Sequence, residues 1–450
     1  MNDDWHANSW LTLNLGLRWE AYTPITEAKN RIAALRQGSN GVWAIQTASD
    51  SDPTVGVKTD WSDWGPRLGF SASAPARIVF RGGFGLTYNP VQHGAGSMMK
   101  NPPFVQNFGP NTSNASSGGA LPNLFLEDIP PAYTFGDPTK PAGTLGAQSV
   151  NYKMLRSKQF NIVAEKQVGL NVASIGYIGA LIDRIAANIN INQPTIASGA
   201  VNPRRPFFAQ FPLVTNITDI EPLGKKTYNA LQLMFRRNQS GGLTFQTHYT
   251  YALARQYTVT GWDAHLFEWG QIPTYDIRHH WVAIVNYSIP WGENLKGVAH
   301  GFLAGWSLNA NANVQSGLDF SISNSSSQTN VGGSDRPNLI GDPNLPSSQQ
   351  TIQRWFNTSA FQIQAPLTPG NTPPGSMHGP WQRRIDFSLS KALARAGARS
   401  LQLRIECYNV TNWANFQPPD GTFGATTFGT LFSTGNAVPR QFQFGIRYLF

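Results

Sequence analysis

The residues able to do chemistry are few, and their spacing does not assemble them. His279 and His280 are adjacent, and neighbours on a strand point to opposite faces, so they cannot ligate one ion together. No His-x-x-x-His pattern or cysteine pair accompanies them. His279 is expected to open a strand as a structural residue. Asp63, His265 and the serines are too scattered for a nucleophile–base–acid triad. Arg81-Gly-Gly-Phe-Gly85 is glycine-rich but lacks the lysine of a phosphate-cradling loop and lies in a strand pattern. In a strand its glycines make room for a neighbouring plug element or for curvature. Cys407 is the single cysteine, which excludes an internal disulfide and a thiolate cluster. The expectation is no enzyme, with no catalytic, cofactor-binding or metal-ligating residue.

One segment has the chemistry of recognition. Between Gly261 and Gly270 stand Trp262, Asp263, His265, Glu268 and Trp269. Aromatic rings with polar neighbours suit a sugar or an aromatic chelate, and equally suit a loop that folds on itself or rests at an interface. The stretches 89–154 and 324–381 are rich in Asn, Pro, Ser and Gly and carry no motif. Their length suggests function, while their composition also allows disorder.

The elements that position these residues follow from composition and period. Only 13% of the 450 residues are charged, yet the mean hydropathy is −0.29. Low charge without high hydropathy fits strands in which apolar residues alternate with small polar ones. The net charge of +9 is spread out, with no basic run, which argues against nucleic acid. It suits solvated turns, a polar lumen and anionic head groups. No stretch approaches the ~18 apolar residues of a membrane helix, and the first residues do not read as a signal peptide.

The end of the chain states the alternation most clearly. Phe442, Phe444, Ile446, Tyr448 and Phe450 alternate with Gln441, Gln443, Gly445 and Arg447, and a strand of ~10 residues spans a tilted bilayer crossing. The same period runs through Leu11–Trp19, Ile78–Tyr88, Leu243–Leu253, Trp306–Val314 and Leu401–Ile405. Weaker versions near 65–74, 155–167, 170–180, 226–237, 277–290 and 382–391 bring the total to about twelve strands. Connections alternate long and short. The long ones cover 20–64, 89–154, 181–225, 255–276, 324–381 and 412–439. The short ones lie near 75–76, 168–169, 238–241, 291–303 and 392–400. The fold class is therefore all-β: an antiparallel transmembrane outer-membrane β-barrel with short periplasmic turns and long extracellular loops. A propeller would show a repeat of ~40–50 residues, and a sandwich would not need every long loop at one end. Trp19, Tyr88, Tyr251, Tyr287, Trp291, Tyr448 and Phe450 suit interfacial girdles.

Several strand motifs resemble those of the TonB-dependent transporters of the Oar-like type. They are Trp10-Leu-Thr-Leu-Asn-Leu-Gly-Leu-Arg-Trp-Glu20, Trp64-Gly-Pro-Arg-Leu-Gly-Phe70, Asp276-Ile-Arg-His279 leading to Tyr287-Ser-Ile-Pro-Trp-Gly292, Arg384-Ile-Asp-Phe-Ser-Leu-Ser390 and Asn409-Val-Thr-Asn-Trp-Ala-Asn-Phe416. The resemblance implies that 1–450 is the C-terminal part of a barrel of about 22 strands, without plug, TonB box or regulatory domain. Asp3-Asp-Trp5 resembles a turn, so the chain is expected to begin mid-barrel. Also implied are uptake of a large scarce solute (oligosaccharide, peptide or metal chelate), contact with the TonB complex only through the missing part, and no cofactor. The terminal aromatics Phe442, Phe444, Ile446, Tyr448 and Phe450 resemble the signal read by the barrel-assembly machinery. A passive porin and an outer-membrane adhesin are the competing readings.

Overall fold

Alternation predicts two-faced strands joined in sequence order, and this is the arrangement found. A computed structural model describes residues 2–38, 41–89, 101–105, 138–272, 276–396, 399–435 and 437–450. Most of the expected 89–154 connection lies outside them. Thirteen strands follow one another along an unbroken path. They are β1 (Asn2–His6), β2 (Leu11–Tyr22), β3 (Asp60–Ala74), β4 (Ile78–Asn89), β5 (Leu155–Val168), β6 (Asn171–Asn190), β7 (Val214–Ser240), β8 (Leu243–Val259), β9 (His279–Ile289), β10 (Trp306–Gln315), β11 (Gln382–Ala396), β12 (Arg399–Tyr408) and β13 (Gln441–Leu449). Every pair along the path is antiparallel. β1 and β13 stand at the two ends of the order and are not paired with each other.

The register carries two faces across the sheet. On one row Tyr177, Leu231, Tyr251 and His279 lie opposite one another. On the next row Gly176, Gln232, Thr250, His280, Gln315 and Gln382 do so. In β13, at the end of the order, residues 441–448 are exposed on both faces, with Phe444 74% and Ile446 75% accessible. Short and long connections alternate end to end. β7 and β8 are joined through Gly241 and Gly242, both at positive φ, the backbone that a two-residue hairpin turn requires. The short-turn end has one larger connection, 290–305, containing a helix α1 (Gly297–Leu303). Among the described residues no helix is long and apolar enough to cross a membrane.

Two sequence readings are corrected. Asp3-Asp-Trp5 is strand, not turn. β2 is its template: Trp5 lies opposite Leu13, and Asp4 opposite Asn14, whose Nδ2 donates to Asp4 Oδ1 at 2.5 Å. β6 and β7 extend well past the expected 170–180 and 226–237, to 20 and 27 residues. Beyond the ~9–11 residues that lipid needs, alternation is no longer required, so the pattern fades while the pairing continues. Gly82 makes room for Phe70: a Cβ there would stand 2.5 Å from the Phe70 ring. Gly179 makes the same space for Phe160.

The long connections pack over their end of the sheet. Gly143–Gln148 pairs parallel with the start of β7. Phe267–Gln271 pairs with the end of β8. Leu35, Leu145, Phe211, Val214 and Ile217 form one core beside them. Phe320, Ile322, Phe356, Phe361 and Met377 form another, with Phe423 and Phe428 packed on it.

A charge on the apolar face must lie in hydrocarbon if that face meets lipid. Leu231→Lys is therefore expected to lower unfolding stability by about 2–4 kcal/mol. Gln232→Lys, one residue along on the polar face, should change it by less than about 1 kcal/mol. Urea unfolding of the two variants in phospholipid vesicles checks the difference.

Candidate functional site

The polar face is built from short amide, hydroxyl, imidazole and charged groups that the register brings into rows. Asn309, Asn311 and Asn313 of β10 face Ser388, Asp386 and Arg384 of β11. Ser388 and Ser390 in turn face Glu406 and Arg404 of β12. Arg384 pairs with Asp386 at 2.8 Å and Arg404 with Glu406 at 3.5 Å. His280 Nε2 lies 3.2 Å from Asn313 Oδ1. A cavity of about 440 Å3 opens on this face, lined by Ser174, Gln232, Met234, His248, Thr250 and His280 among others. Such a wall offers exchangeable hydrogen bonds and no nucleophile held by a base. His279 opens β9 as expected, on the other face. Its Nδ1 is 2.7 Å from Tyr249 Oη and its ring stacks on Trp381 at 5.9 Å.

The loop residues singled out from sequence fall into different surroundings. Trp262 is buried, and the Arg336 guanidinium lies 4.5 Å over its ring. The same Arg336 donates to Glu268 Oε2 at 2.7 Å. Asp263 organises a turn, its Oδ1 accepting the His265 backbone N–H at 2.8 Å, and the His265 side chain is exposed. Trp269 is partly exposed and packs on Tyr257 and Arg255. Trp262, Glu268 and Arg336 thus form one unit, with Asp263, His265 and Trp269 outside it. The exposed apolar residues Phe442, Phe444, Ile446, Tyr448 and Phe450 stand at the end of the sheet.

Asp63 belongs to a charge cluster at the long-loop ends of β3, β5 and β6. Asp60 receives Lys153 Nζ at 2.8 Å, Arg184 reaches Asp63 at 3.7 Å, and Arg156 holds Asp183 through two bonds of 3.0 and 2.8 Å. Sequence reasoning missed two further groupings. A cavity of about 530 Å3 is lined by Trp355, His378, Trp381, Arg383 and Trp413, with Arg383 lying 5.9 Å from both the Trp381 and Trp413 rings. Three tryptophans flanking long connections were the available signal. The second is a buried carboxyl pair. Asp276 and Asp319 are 2% and 3% exposed, His378 Nδ1 bonds Asp319 Oδ1, and Arg278 stands 3.7 Å from Asp276. Burial, and then the Asp319 charge, push the Asp276 carboxyl up to about 6. No group of three or more His, Cys, Asp or Glu is placed to hold a metal among the described residues.

Residues 1–443 match the family model described as an outer membrane beta barrel domain. No curated protein matches the chain. Among solved structures it is similar to the ferripyoverdine receptor of the outer membrane of Pseudomonas aeruginosa (10% identity, TM-score 0.46, covering 99% of this chain and 37% of that one). It is also similar to the FrpB iron transporter from Neisseria meningitidis (11%, 0.44, 99% and 43%) and to the copper transporter OprC (9%, 0.41, 99% and 46%). The chain spans less than half the length of each.

The carboxyl pair sets a pH dependence. Because the folded Asp276 value lies above its ordinary 3.8, the folded loops bind that proton more tightly than the unfolded chain. The stabilisation is complete below about pH 4 and is lost as pH rises through about 6. Asp276→Asn keeps an acceptor for the Ala254 N–H and removes this slope. At pH 7.5 it is expected to stabilise the loop layer by about 1–3 kcal/mol, with little change at pH 4, read as slower hydrogen exchange in 316–322. Arg336→Ala uncovers Trp262 and leaves Glu268 unpaired, so faster exchange is expected across 260–271.

Proposed function

The chain belongs to the outer membrane beta barrel domain family and its place is the outer membrane, and from that premise we propose that it forms part of the barrel wall of a TonB-dependent transporter of the Oar-like type. Its role is uptake of a large scarce solute such as an oligosaccharide, a peptide or a metal chelate, without catalysis. The observation that carries this reading is the layer of long connections at one end of a two-faced sheet. That layer has its own aromatic core and stands over a face lined with Asn, Gln, His and Arg. A passive pore gains nothing from so thick a layer at its mouth, whereas a receptor needs a built surface there to select its solute. The strand motifs quoted above support the same type.

In this reading the long loops are extracellular and the short turns periplasmic. Solute meets the loops, where Trp262, Asp263, His265, Glu268 and Trp269 and the cavity lined by Trp355, Trp381 and Trp413 are the candidate contacts, and then the polar wall. The first and last strands of the path are not paired with each other. Lipid cannot satisfy an open ladder. In this reading the TonB complex supplies the energy for uptake. Phe442, Phe444, Ile446, Tyr448 and Phe450, exposed along one face, are read by the barrel-assembly machinery.

Uptake by cells carrying the intact gene tests the function. A TonB-dependent transporter takes up a labelled oligosaccharide, peptide or ferric chelate, and a protonophore abolishes that uptake. Uptake indifferent to the protonophore would mean a porin, and surface adhesion with no uptake would mean an adhesin. Separately, Phe450→Ala should lower the amount of folded protein in the outer membrane several-fold, measured by heat-modifiable mobility on gels.

A further inference from the structure

The 290–305 connection is unlike the other short-turn connections. Its helix α1 spans Gly297–Leu303 and is preceded by Trp291-Gly-Glu-Asn-Leu-Lys296. At 100° per residue Val298 and Phe302 share one side of the helix and His300 lies on the other, while Leu295 and the extended Lys296 precede it. The apolar side is uncovered: Trp291 is 68% exposed, Val298 77% and Phe302 73%. Burying such residues against the molecule itself would be favourable by about 1.5–3 kcal/mol each. An aqueous setting therefore does not account for their exposure.

The position of the helix says what meets it. Trp306 begins β10 on the same face as Leu308, the apolar face. Its Nε1 donates to the Phe302 carbonyl at 2.8 Å, which ties the end of the helix to the first apolar-face residue of β10. Lys391, opposite Trp306 in register, lies 5.1 Å over the Trp306 ring and donates to the Ala304 carbonyl. Gly292, at positive φ, leaves room for Leu303: a Cβ there would come within 2.6 Å of it. The exposed apolar residues of the helix thus stand next to the apolar surface of half-buried Ile289 and Leu308 and exposed Leu393 and Leu403, past the last rung of the sheet.

We infer that α1 is an interfacial anchor. It lies in the phospholipid leaflet on the short-turn side, with Leu295, Val298 and Phe302 among the upper acyl chains, Trp291 at the head-group level, and Lys296 and His300 toward water and anionic phosphates. This rests on the membrane reading of the sheet. A short helix with exposed Val298 and Phe302 and with a Trp and a Lys in the segment before it has the chemistry of that boundary, where an apolar side sinks about 5–10 Å. The anchor also fixes how deep the β9–β10 hairpin sits, because Trp306 ties the two together.

The test places single cysteines in the full chain reconstituted in vesicles of phosphatidylethanolamine and phosphatidylglycerol, using Val298→Cys, Phe302→Cys, Lys296→Cys and His300→Cys. Phe444→Cys and Ile446→Cys serve as controls on the sheet. The native Cys407 is fully buried, so spin labelling selects the introduced sites. Collision with oxygen and with a water-soluble nickel chelate reports depth. The expected result is lipid-level accessibility at 298 and 302, water-level accessibility at 296 and 300, and lipid-level accessibility at both controls. Water-level accessibility at 298 and 302 with lipid-level controls overturns the anchor and leaves the barrel intact. Labels at 298 and 302 shielded from both reagents overturn it in favour of a protein covering the helix. Water-level accessibility at the controls as well removes the membrane reading, and the anchor falls with it.

Discussion

A backbone N–H in hydrocarbon has no water to turn to, so the hydrogen-bond ladder governs any sheet that crosses lipid. Here the ladder runs without interruption from β1 to β13. Because side chains alternate along each strand, each pair's register hands the same two faces to the next. A slip of one residue between β6 and β7 would bring Gln232 opposite Tyr177 and place Leu231 among polar groups. The irregularities sit toward strand ends, at Glu20/Tyr22, Glu221/Gly224, Arg237/Ser240 and Ala392/Ala394. Near the ends a shifted residue meets water or a loop rather than acyl chains.

Where the lipid constraint ends, side chains take over the work of the ladder. Asn101 is fully buried and bonds the Ala33 carbonyl and both backbone groups of Gly146, joining two connections. Asp335 accepts the backbone N–H groups of Gln328 and Thr329 and the Asn324 amide, which holds an irregular loop in one shape. Gln193 reaches the Gly261 carbonyl, and Arg204 the Asn330 carbonyl, tying separate loops together. The polar composition that allows disorder in a loop also supplies the donors and acceptors that order it, once several loops stand side by side. The buried Asp276–Asp319 pair belongs to this layer and makes its cohesion depend on proton supply.

The sheet was legible because lipid imposes a period of two on any strand that crosses it. Phe442 to Phe450, Leu11 to Trp19 and Trp306 to Val314 announce their faces without help from any neighbour. Legibility failed where the period is set by something else. Asn2–His6 carries no long alternation and becomes strand through pairing with Leu11–Tyr22. The outer parts of β6 and β7 stand clear of lipid and are paired with each other, with Gly143–Gln148 added alongside. The loop aromatics Phe320, Phe356, Phe361 and Phe428 are spaced without period, and nothing local says that they share a core.

The sequence by itself determined the fold class, the order of the strands, the alternation of short and long connections, and the side of each strand that is apolar. All of these follow from local periodicity and from the tendency of consecutive strands to pair. Only the tertiary structure decided which distant groups meet. It put Arg336 over Trp262 and against Glu268, set Asp276 against Asp319, laid the rings of Phe70 and Phe160 over Gly82 and Gly179, and fastened α1 to the apolar face through Trp306. Such contacts join residues tens of positions apart, and their existence depends on register and loop packing, which no short window of sequence encodes.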